Sequence, residues 1–372
     1  MLNTINIVAT SALPWRTGTA ILPLLRAYYL AKRGLDTRLY VPWISPENQR
    51  VLFGENFIFD SKNEQEAAIR NYLPDPRCAS LQIEFYPGIY LRRLGSIFPL
   101  CAISKRLRRC DWLLLEEPEH LNWIHFWNRY DKLAKRVTGI VLTNYYYYAA
   151  HAFPYLPFIP LALERYNQWL IRRHCHDALI LGNAIRPFPT AQDFSSSGIH
   201  PSFFQTAPVR PDSQKIYFMG KLIWEKGFRE LIDLLANSTI REIDLFGVGN
   251  DQEAIAAYAQ SQGVQLNFQG NAANPANALQ DYKIFINASR SEAQCTTTSE
   301  ALGQGKFVII PSVLANKEFY RFKNCLVYSS PHEFRTGLEF ALENAPKTDP
   351  QIQWFTWEAA IDRLLDYYEK TA

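Results

Sequence analysis

Apolar residues along this chain recur in two rhythms that alternate from end to end. Ile5-Asn6-Ile7-Val8-Ala9-Thr10 reads as a buried parallel strand. A Gly-bearing loop follows (Pro14-Trp15-Arg16-Thr17-Gly18-Thr19), then a helix with Ile21, Leu24, Leu25, Tyr28 and Tyr29 at helical spacing. The next strand is expected at 37–41, ended by Pro42, and others at 112–115, 139–142 and 178–181. Strands alternating with helices imply a parallel sheet covered on both faces.

Residues 187–215 break the pattern with Pro187, Pro189, Ser195-Ser196-Ser197-Gly198, Pro201, Pro208 and Pro211, which reads as an interdomain linker. The alternation then restarts. Strand 216–219 leads to helix 228–236, and strand 242–246 to the loop Gly247-Val248-Gly249 and helix 252–260. Strand 284–287 leads to helix 297–303, and strand 307–310 closes the series. The expected fold class is α/β, with two Rossmann-like domains whose parallel sheets face each other across a cleft. Ligands are expected at the carboxyl ends of the strands. The expected domains are 1–190, 191–350 and a final helical stretch, 351–372, packing back toward the first.

Composition agrees with two globular domains: 372 residues, 48% of them hydrophobic and 20% charged. The opening residues have no basic flank or cleavage site, so no signal peptide is expected. Six Cys include no Cys-x-x-Cys pair, which points to a reducing compartment without a zinc site or disulfide framework. The longest charge-free run, 137–163, is interrupted by Pro154, Pro157 and Pro160, so no transmembrane helix is expected. The net charge of +3 hides an asymmetry: residues 1–190 carry +8 and the remainder −5. A basic first half suits an anionic surface.

The most specific chemical signal is Glu292-Ala-Gln-Cys-Thr-Thr-Thr-Ser-Glu300. Its two Glu are eight apart, the first in a loop after a strand and the second in the opening turns of a helix. Thr296, Thr297 and Thr298 place free backbone N–H groups at that helix start, where a diphosphate can bind. Two readings of Glu300 stand side by side: a ligand for sugar hydroxyls, or a capping box through Thr297-x-x-Glu300. Lys221 and Lys226 lie between a strand end and a helix start. A cation there is unfavourable by ~0.3–1 kcal/mol unless an anion is bound, which favours a diphosphate site.

Strand-Gly-Lys-x4-Lys-Gly, then Gly-x-Gly, then Glu-x7-Glu resembles the donor half of family 4 retaining glycosyltransferases, which have the GT-B fold. The resemblance implies that Lys221 and Lys226 neutralise a nucleotide diphosphate, that Glu292 contacts the transferred sugar, and that Glu300 contacts the ribose. Glu292, Lys226 and His120 are the expected catalytic residues. Gly18, Thr19, Gly270, Cys295 and Thr296–Thr298 are further expected contacts of the donor. The usual first basic residue is Arg, so Lys221 departs from the pattern.

In the first half, Pro14-Trp15-Arg16-Thr17-Gly18-Thr19, Phe85-Tyr86-Pro87-Gly88, Glu116-Glu117-Pro118-Glu119-His120-Leu121-Asn122-Trp123 and Thr143-Asn144-Tyr145 resemble a galactolipid-forming branch of that family. The implied reaction moves galactose from UDP-galactose to a monogalactosyl lipid, retaining the α configuration, with UDP-sugar as co-substrate and no cofactor. In related plant enzymes a His precedes Thr-Asn-Tyr; here the place is Leu142. Two readings of His120 stay open: it takes over that role, or it is hydrogen-bonded within its own loop.

His120 and His125 are five apart with no acidic residue between them, which fails a metalloprotease pattern. No Asp-x-Asp occurs, so no metal site is implied. Between Phe85 and Cys110 there is no acidic residue, while Arg92, Arg93, Lys105, Arg106, Arg108 and Arg109 interleave with Leu91, Leu94, Ile97, Phe98, Leu100 and Leu107. That mixture suits an anionic bilayer surface, each cation being worth ~1 kcal/mol; the resemblance implies that the membrane is cyanobacterial or plastid, approached from its cytosolic face. Asn144 and Tyr145 are expected on the acceptor side with them. The aromatic run Tyr145-Tyr146-Tyr147-Tyr148 and the stretch from Phe153 to Phe158 can bury acyl chains or lie at headgroup level. No nucleic-acid-binding motif accompanies the basic residues, so nucleic acid is not an expected partner.

Overall fold

The computed structural model describes residues 2–153, 155–181, 191–194, 197–205, 210, 212–272, 274–290 and 295–371. The chain divides into two compact units. One takes the chain up to Leu181, residues near 191–197 and those from Ile361 onward; the other takes Gly198–Ala360.

The first unit is built on β1 (Thr4–Val8), β2 (Asp36–Trp43), β3 (Leu81–Leu91), β4 (Ser96–Pro99), β5 (Cys110–Glu116), β6 (Ala134–Val141), β7 (Asp177–Ile180) and β8 (Ala191–Asp193). Among the described residues they form one sheet in the order β4-β3-β2-β1-β5-β6-β7-β8, parallel except for the β3–β4 hairpin. Strand β5 reads Cys-Asp-Trp-Leu-Leu-Leu-Glu, and all seven residues are buried, as a central strand covered on both faces requires.

Two expectations change here. Pro42 does not end β2, which runs on to Trp43. The β1 partner of β2 stops at Tyr40, and only β3 continues alongside, so the missing N–H of Pro42 falls where no ladder bond is needed. The 85–110 stretch, read from its charges alone, contains most of a strand and a hairpin, and Arg92 and Arg93 occupy its turn.

The second unit carries β9 (Ile216–Met219), β10 (Glu242–Phe246), β11 (Gln265–Gly270), β12 (Ile284–Ile286), β13 (Phe307–Pro311) and β14 (Cys325–Tyr328). Their order is β11-β10-β9-β12-β13-β14, all parallel. The expected last strand, β13, is thus followed by another. Helix Phe228–Ala236 buries Phe228, Leu231, Ile232, Leu234 and Leu235 on one side of this sheet. Helix Thr296–Gly303 buries Ala301 and Leu302 on the other. Each such side chain contributes roughly 1.5–3 kcal/mol when fully buried.

Both sheets reverse their winding direction beside their first strand, between β1 and β5 and between β9 and β12. Open α/β sheets bind ligands beyond the carboxyl ends of the strands at such switch points. The final helix, Trp357–Thr371, enters the first unit from Ile361 onward. There the ring of Tyr368 lies 4.7 Å from that of Trp112. No helix among the described residues is long and apolar enough to cross a membrane.

Candidate active site

In the second unit, the chain leaving β9 passes through Gly220, Lys221 and a tight turn at Trp224–Lys226 before helix Phe228–Ala236 begins. Gly227 caps that helix at φ +81, and a Cβ there would sit 2.3 Å from the carbonyl oxygen of Ala288. Only glycine lets the lysine-bearing turn lie on the end of β12. Desolvation first, then the like charge of Lys226, lowers the pKa of Lys221. Two cations are therefore held near one another at the switch point, an arrangement that an anion relieves.

The Gly-x-Gly loop needs its glycines for backbone packing. A Cβ on Gly247 would lie 1.9 Å from the carbonyl oxygen of Gly220, and one on Gly249 would lie 2.1 Å from that of Leu222. These glycines allow one strand-end loop to pack on the other. Gly270 ends β11, and its carbonyl accepts from the Gly247 N–H at 2.8 Å.

Helix Thr296–Gly303 starts after Cys295, whose side chain does not cap it; the Thr298 N–H, expected free, donates to the Cys295 carbonyl at 3.1 Å, leaving those of Thr296 and Thr297 without a backbone partner among the described residues. The Cys295 sulfur instead meets Asn287 Nδ2 at 3.0 Å and Thr297 Oγ1 at 3.2 Å. The hydroxyls of Thr298 and Ser299 are buried without partners among the described residues. Glu300 lies in the second turn, too far along to close a capping box from Thr297. Burial pushes its carboxyl up to about 8. Uncapped amides, unpartnered hydroxyls and a desolvated carboxyl on one short helix form a site built for a polar anionic ligand. Glu292 lies outside the described residues.

In the first unit, Gly18 and Thr19 open helix Gly18–Lys32. Thr19 Oγ1 lies 2.8 Å from Ser11 Oγ and 3.0 Å from Thr17 Oγ1, a knot of hydroxyls just past β1. His120 is buried; its Nε2 lies 2.8 Å from the Ile97 carbonyl oxygen and its Nδ1 3.3 Å from Tyr145 Oη. It packs between Phe98, at 4.8 Å between centroids, and Trp123, at 4.9 Å. Its partners come from β4 and from the start of helix Tyr145–Ala152, not from its own loop. Asn144 caps helix Tyr145–Ala152 by accepting from the Tyr147 N–H at 3.0 Å.

Sequence reasoning missed the carboxylates at the end of β5. Glu116 is buried in an ion pair with Arg26. Glu117 accepts from Thr10 Oγ1 at 2.7 Å, from Thr143 Oγ1, and from Tyr145 Oη at 3.3 Å. Burial first, then the charge of Glu117, pushes Glu119 up to about 8, and its Oε2 has no partner. Three acids in four residues directly after the apolar run 112–115 were the available signal.

Arg92, Arg93, Lys105, Arg106, Arg108 and Arg109 are all exposed. Arg108 reaches Glu84 at 3.4 Å, one residue before the acid-free stretch begins. No group of three or more potential metal ligands occurs among the described residues.

The family described as "Glycosyl transferases group 1" matches residues 213–344. Digalactosyldiacylglycerol synthase 1, chloroplastic, of Glycine max is 37% identical over 98% of this chain and 49% of its own length. The chain thus spans about half the length of that relative. Digalactosyldiacylglycerol synthase 2, chloroplastic, of Arabidopsis thaliana is 32% identical over 97% of this chain and 80% of its own. Among solved structures, Anabaena HepE in complex with UDP aligns over 100% of both chains at a TM-score of 0.68 and 12% identity. That likeness is one of fold: two Rossmann-like domains of the GT-B type.

Proposed function

This chain belongs to the digalactosyldiacylglycerol synthase family, and we propose that it moves galactose from UDP-galactose to monogalactosyldiacylglycerol with retention of configuration. The observation that carries this reading is identity of 32–37% over 97–98% of the chain.

In the proposed reaction the bond between the anomeric carbon and the β-phosphate oxygen breaks as UDP departs. A hydroxyl oxygen of the acceptor sugar bonds to the same face of that carbon, and its proton passes to the departing phosphate oxygen. Charge develops on the diphosphate, so Lys221, Lys226 and the free amides of helix Thr296–Gly303 supply most of the catalysis. Glu300 accepts hydrogen bonds from the ribose, and Glu292 from the galactose. The scheme draws on no metal or other cofactor.

The acceptor is a lipid, and the first unit presents a face suited to a bilayer. Helix Phe158–His174 buries Pro160, Asn167, Leu170, Ile171 and His174, while Phe158, Leu161, Arg165, Tyr166, Trp169, Arg172 and Arg173 are exposed. Phe158 is 63% exposed, Trp169 41% and neighbouring Trp127 51%. The rings of Tyr166 and Trp169 stack at 5.8 Å, and Arg173 lies 5.6 Å over Trp169. Aromatics and arginines without an exposed acid on the same helix face suit the interfacial zone of an anionic membrane. The proposed location is peripheral, on the cytosolic face of a plastid-type or cyanobacterial membrane.

Incubation with labelled UDP-galactose or UDP-glucose and a panel of membrane lipids tests the reading. The expected product is digalactosyldiacylglycerol from UDP-galactose. Label on another lipid or a soluble sugar, or transfer only from UDP-glucose, overturns it.

A further inference from the structure

Glu117 is the first residue past β5, at the switch point of the first sheet. Its backbone is left-handed, φ 56 and ψ 65, and it is the only non-glycine residue with positive φ among those described. That conformation is strained for a side-chain-bearing residue, and glycine would adopt it without penalty. A glutamate kept in a glycine conformation points to a need for its side chain.

The carboxylate draws together residues that follow three different strands. Thr10 follows β1, Thr143 and Tyr145 follow β6, and Glu117 itself follows β5; all are within the first unit. The partners of Glu117 are hydroxyls rather than cations, in contrast to Glu116 with its Arg26. Hydroxyl-to-carboxylate bonds are directional and leave the negative charge in place.

The proton arrangement beyond Glu117 follows from the histidine. The Ile97 carbonyl can only accept, so His120 Nε2 carries a proton. Tyr145 Oη lies 3.3 Å from both His120 Nδ1 and Glu117 Oε1 and links the two. Glu117, Tyr145 and His120 form one chain of hydrogen bonds, with Glu117 at the end that pins the loops.

We propose that Glu117 is the positioning residue of the acceptor side: it fixes the Thr143–Tyr145 loop and the loop after β1 so that their polar groups meet the hydroxyls of the acceptor sugar. This inference rests on the galactolipid reading above. It accounts for the Leu142 departure without giving His120 a direct role in the chemistry. The loop that follows Leu142 is held by a carboxylate from β5, and the aromatic stack around His120 serves as its wall.

The test measures transfer by the full chain, using labelled UDP-galactose and vesicles of monogalactosyldiacylglycerol with phosphatidylglycerol. Losing one charged hydrogen bond of this kind corresponds to roughly a tenfold effect or more. Glu117→Gln is therefore expected to raise the acceptor KM or lower kcat by about that factor. The KM for UDP-galactose and calorimetric UDP binding stay within about twofold, and the melting temperature holds. Glu117→Asp should recover part of the loss. If Glu117→Gln does not fold, Thr143→Val and Tyr145→Phe each remove one donor and carry the same acceptor-selective expectation at smaller size. Unchanged acceptor kinetics, or equal changes in both KM values together with a lower melting temperature, would reduce Glu117 to a structural pin and overturn the inference. Failure of the unsubstituted chain to galactosylate the lipid strikes the galactolipid reading itself, and the acceptor role falls with it.

Discussion

At the end of β5, Glu117 is met by three hydroxyls and Glu116 by an arginine; in helix Thr296–Gly303, Glu300 is met by no hydrogen-bond donor among the described residues. The helices that open beside these regions differ in the same way. Asn144 caps helix Tyr145–Ala152, whereas Cys295 leaves helix Thr296–Gly303 without a side-chain cap. Around Glu117 the polar groups hold loops in place, although Glu119 Oε2 beside it is left without a partner among the described residues. The second unit leaves amides, hydroxyls and a carboxyl waiting, and sets Lys221 within reach of the charge of Lys226. Polar groups that satisfy each other shape a surface, whereas groups left unsatisfied are completed by a ligand.

The largest test of that contrast is Lys226→Ala. Near the start of helix Phe228–Ala236 and close to Lys221, the ammonium is placed to meet a bound diphosphate. The variant should leave the melting temperature nearly unchanged, weaken UDP binding, and slow transfer by about 10²-fold. Normal UDP binding with a clearly lower melting temperature would make Lys226 structural and end the contrast.

Glu300→Gln comes next, with a loss of UDP affinity of about tenfold, and its pH dependence is sharper still. The Glu300 carboxyl rises from the ordinary carboxylate range to about 8 in the folded protein. The native state therefore binds more protons than the unfolded chain between pH ~4.5 and 8, and stability falls as pH rises through that window. Glu119 shifts to about 8 as well, so both units contribute with the same sign. UDP affinity should do the opposite and rise toward pH 8, because the ionised carboxyl is the better acceptor for ribose hydroxyls. Melting curves and UDP titrations at pH 5.5, 7 and 8.5 check both trends. Glu300→Gln should flatten the UDP trend, while Glu119→Gln should flatten only part of the stability trend. A UDP trend that survives Glu300→Gln would remove Glu300 from the donor site.

The contrast between the units was only half legible in the sequence. Alternating strand and helix signals placed β1, β5, β9, β10 and β13 to within a few residues, because central parallel strands are continuous apolar runs. The strands toward the sheet edges were harder. Strand β11 reads Gln-Leu-Asn-Phe-Gln-Gly, and in β3 the Pro87-Gly88 pair looks like a turn. Glu300 stood out by its spacing from Glu292, but its lack of a cap bond depends on where the helix begins, which spacing alone does not fix. The Gly-x-Gly loop carried a familiar pattern whose use here is backbone packing on Gly220 and Leu222. Glu117 was hidden for a physical reason: its role comes from Thr10 and Thr143, distant in sequence and joined only by sheet order.

The cap difference itself can be measured. Asn144→Ala removes the bond to the Tyr147 N–H and should cost about 1 kcal/mol of stability, the usual worth of such a cap. Cys295→Ala at the equivalent place should leave UDP affinity nearly intact, because there the amides rather than the cap residue serve the ligand. A Cys295→Ala variant that loses UDP affinity to the same degree as Glu300→Gln would show that the sulfur, not the helix end, organises the site.

The smallest expected effect separates cations within the exposed basic stretch. Each cation near an anionic bilayer is worth about 1 kcal/mol, or roughly fivefold in vesicle affinity, provided its charge is free to face the lipid. Arg108 already lies 3.4 Å from Glu84, whereas Arg106 and Arg109 have no ion pair among the described residues. The exposed Arg108–Glu84 pair is itself worth little to folding, so its consequence falls on partition rather than stability. Arg106→Gln should weaken binding to phosphatidylglycerol vesicles about fivefold, and Arg108→Gln about twofold. Glu84→Gln should strengthen binding by freeing Arg108. Co-sedimentation at low and high salt reads all three, and the differences should shrink as salt screens the charges. Equal losses for Arg106→Gln and Arg108→Gln, with Glu84→Gln neutral, would mean that the local pairing does not reach the membrane. No effect of any of the three would leave the aromatic face of helix Phe158–His174 as the sole remaining anchor.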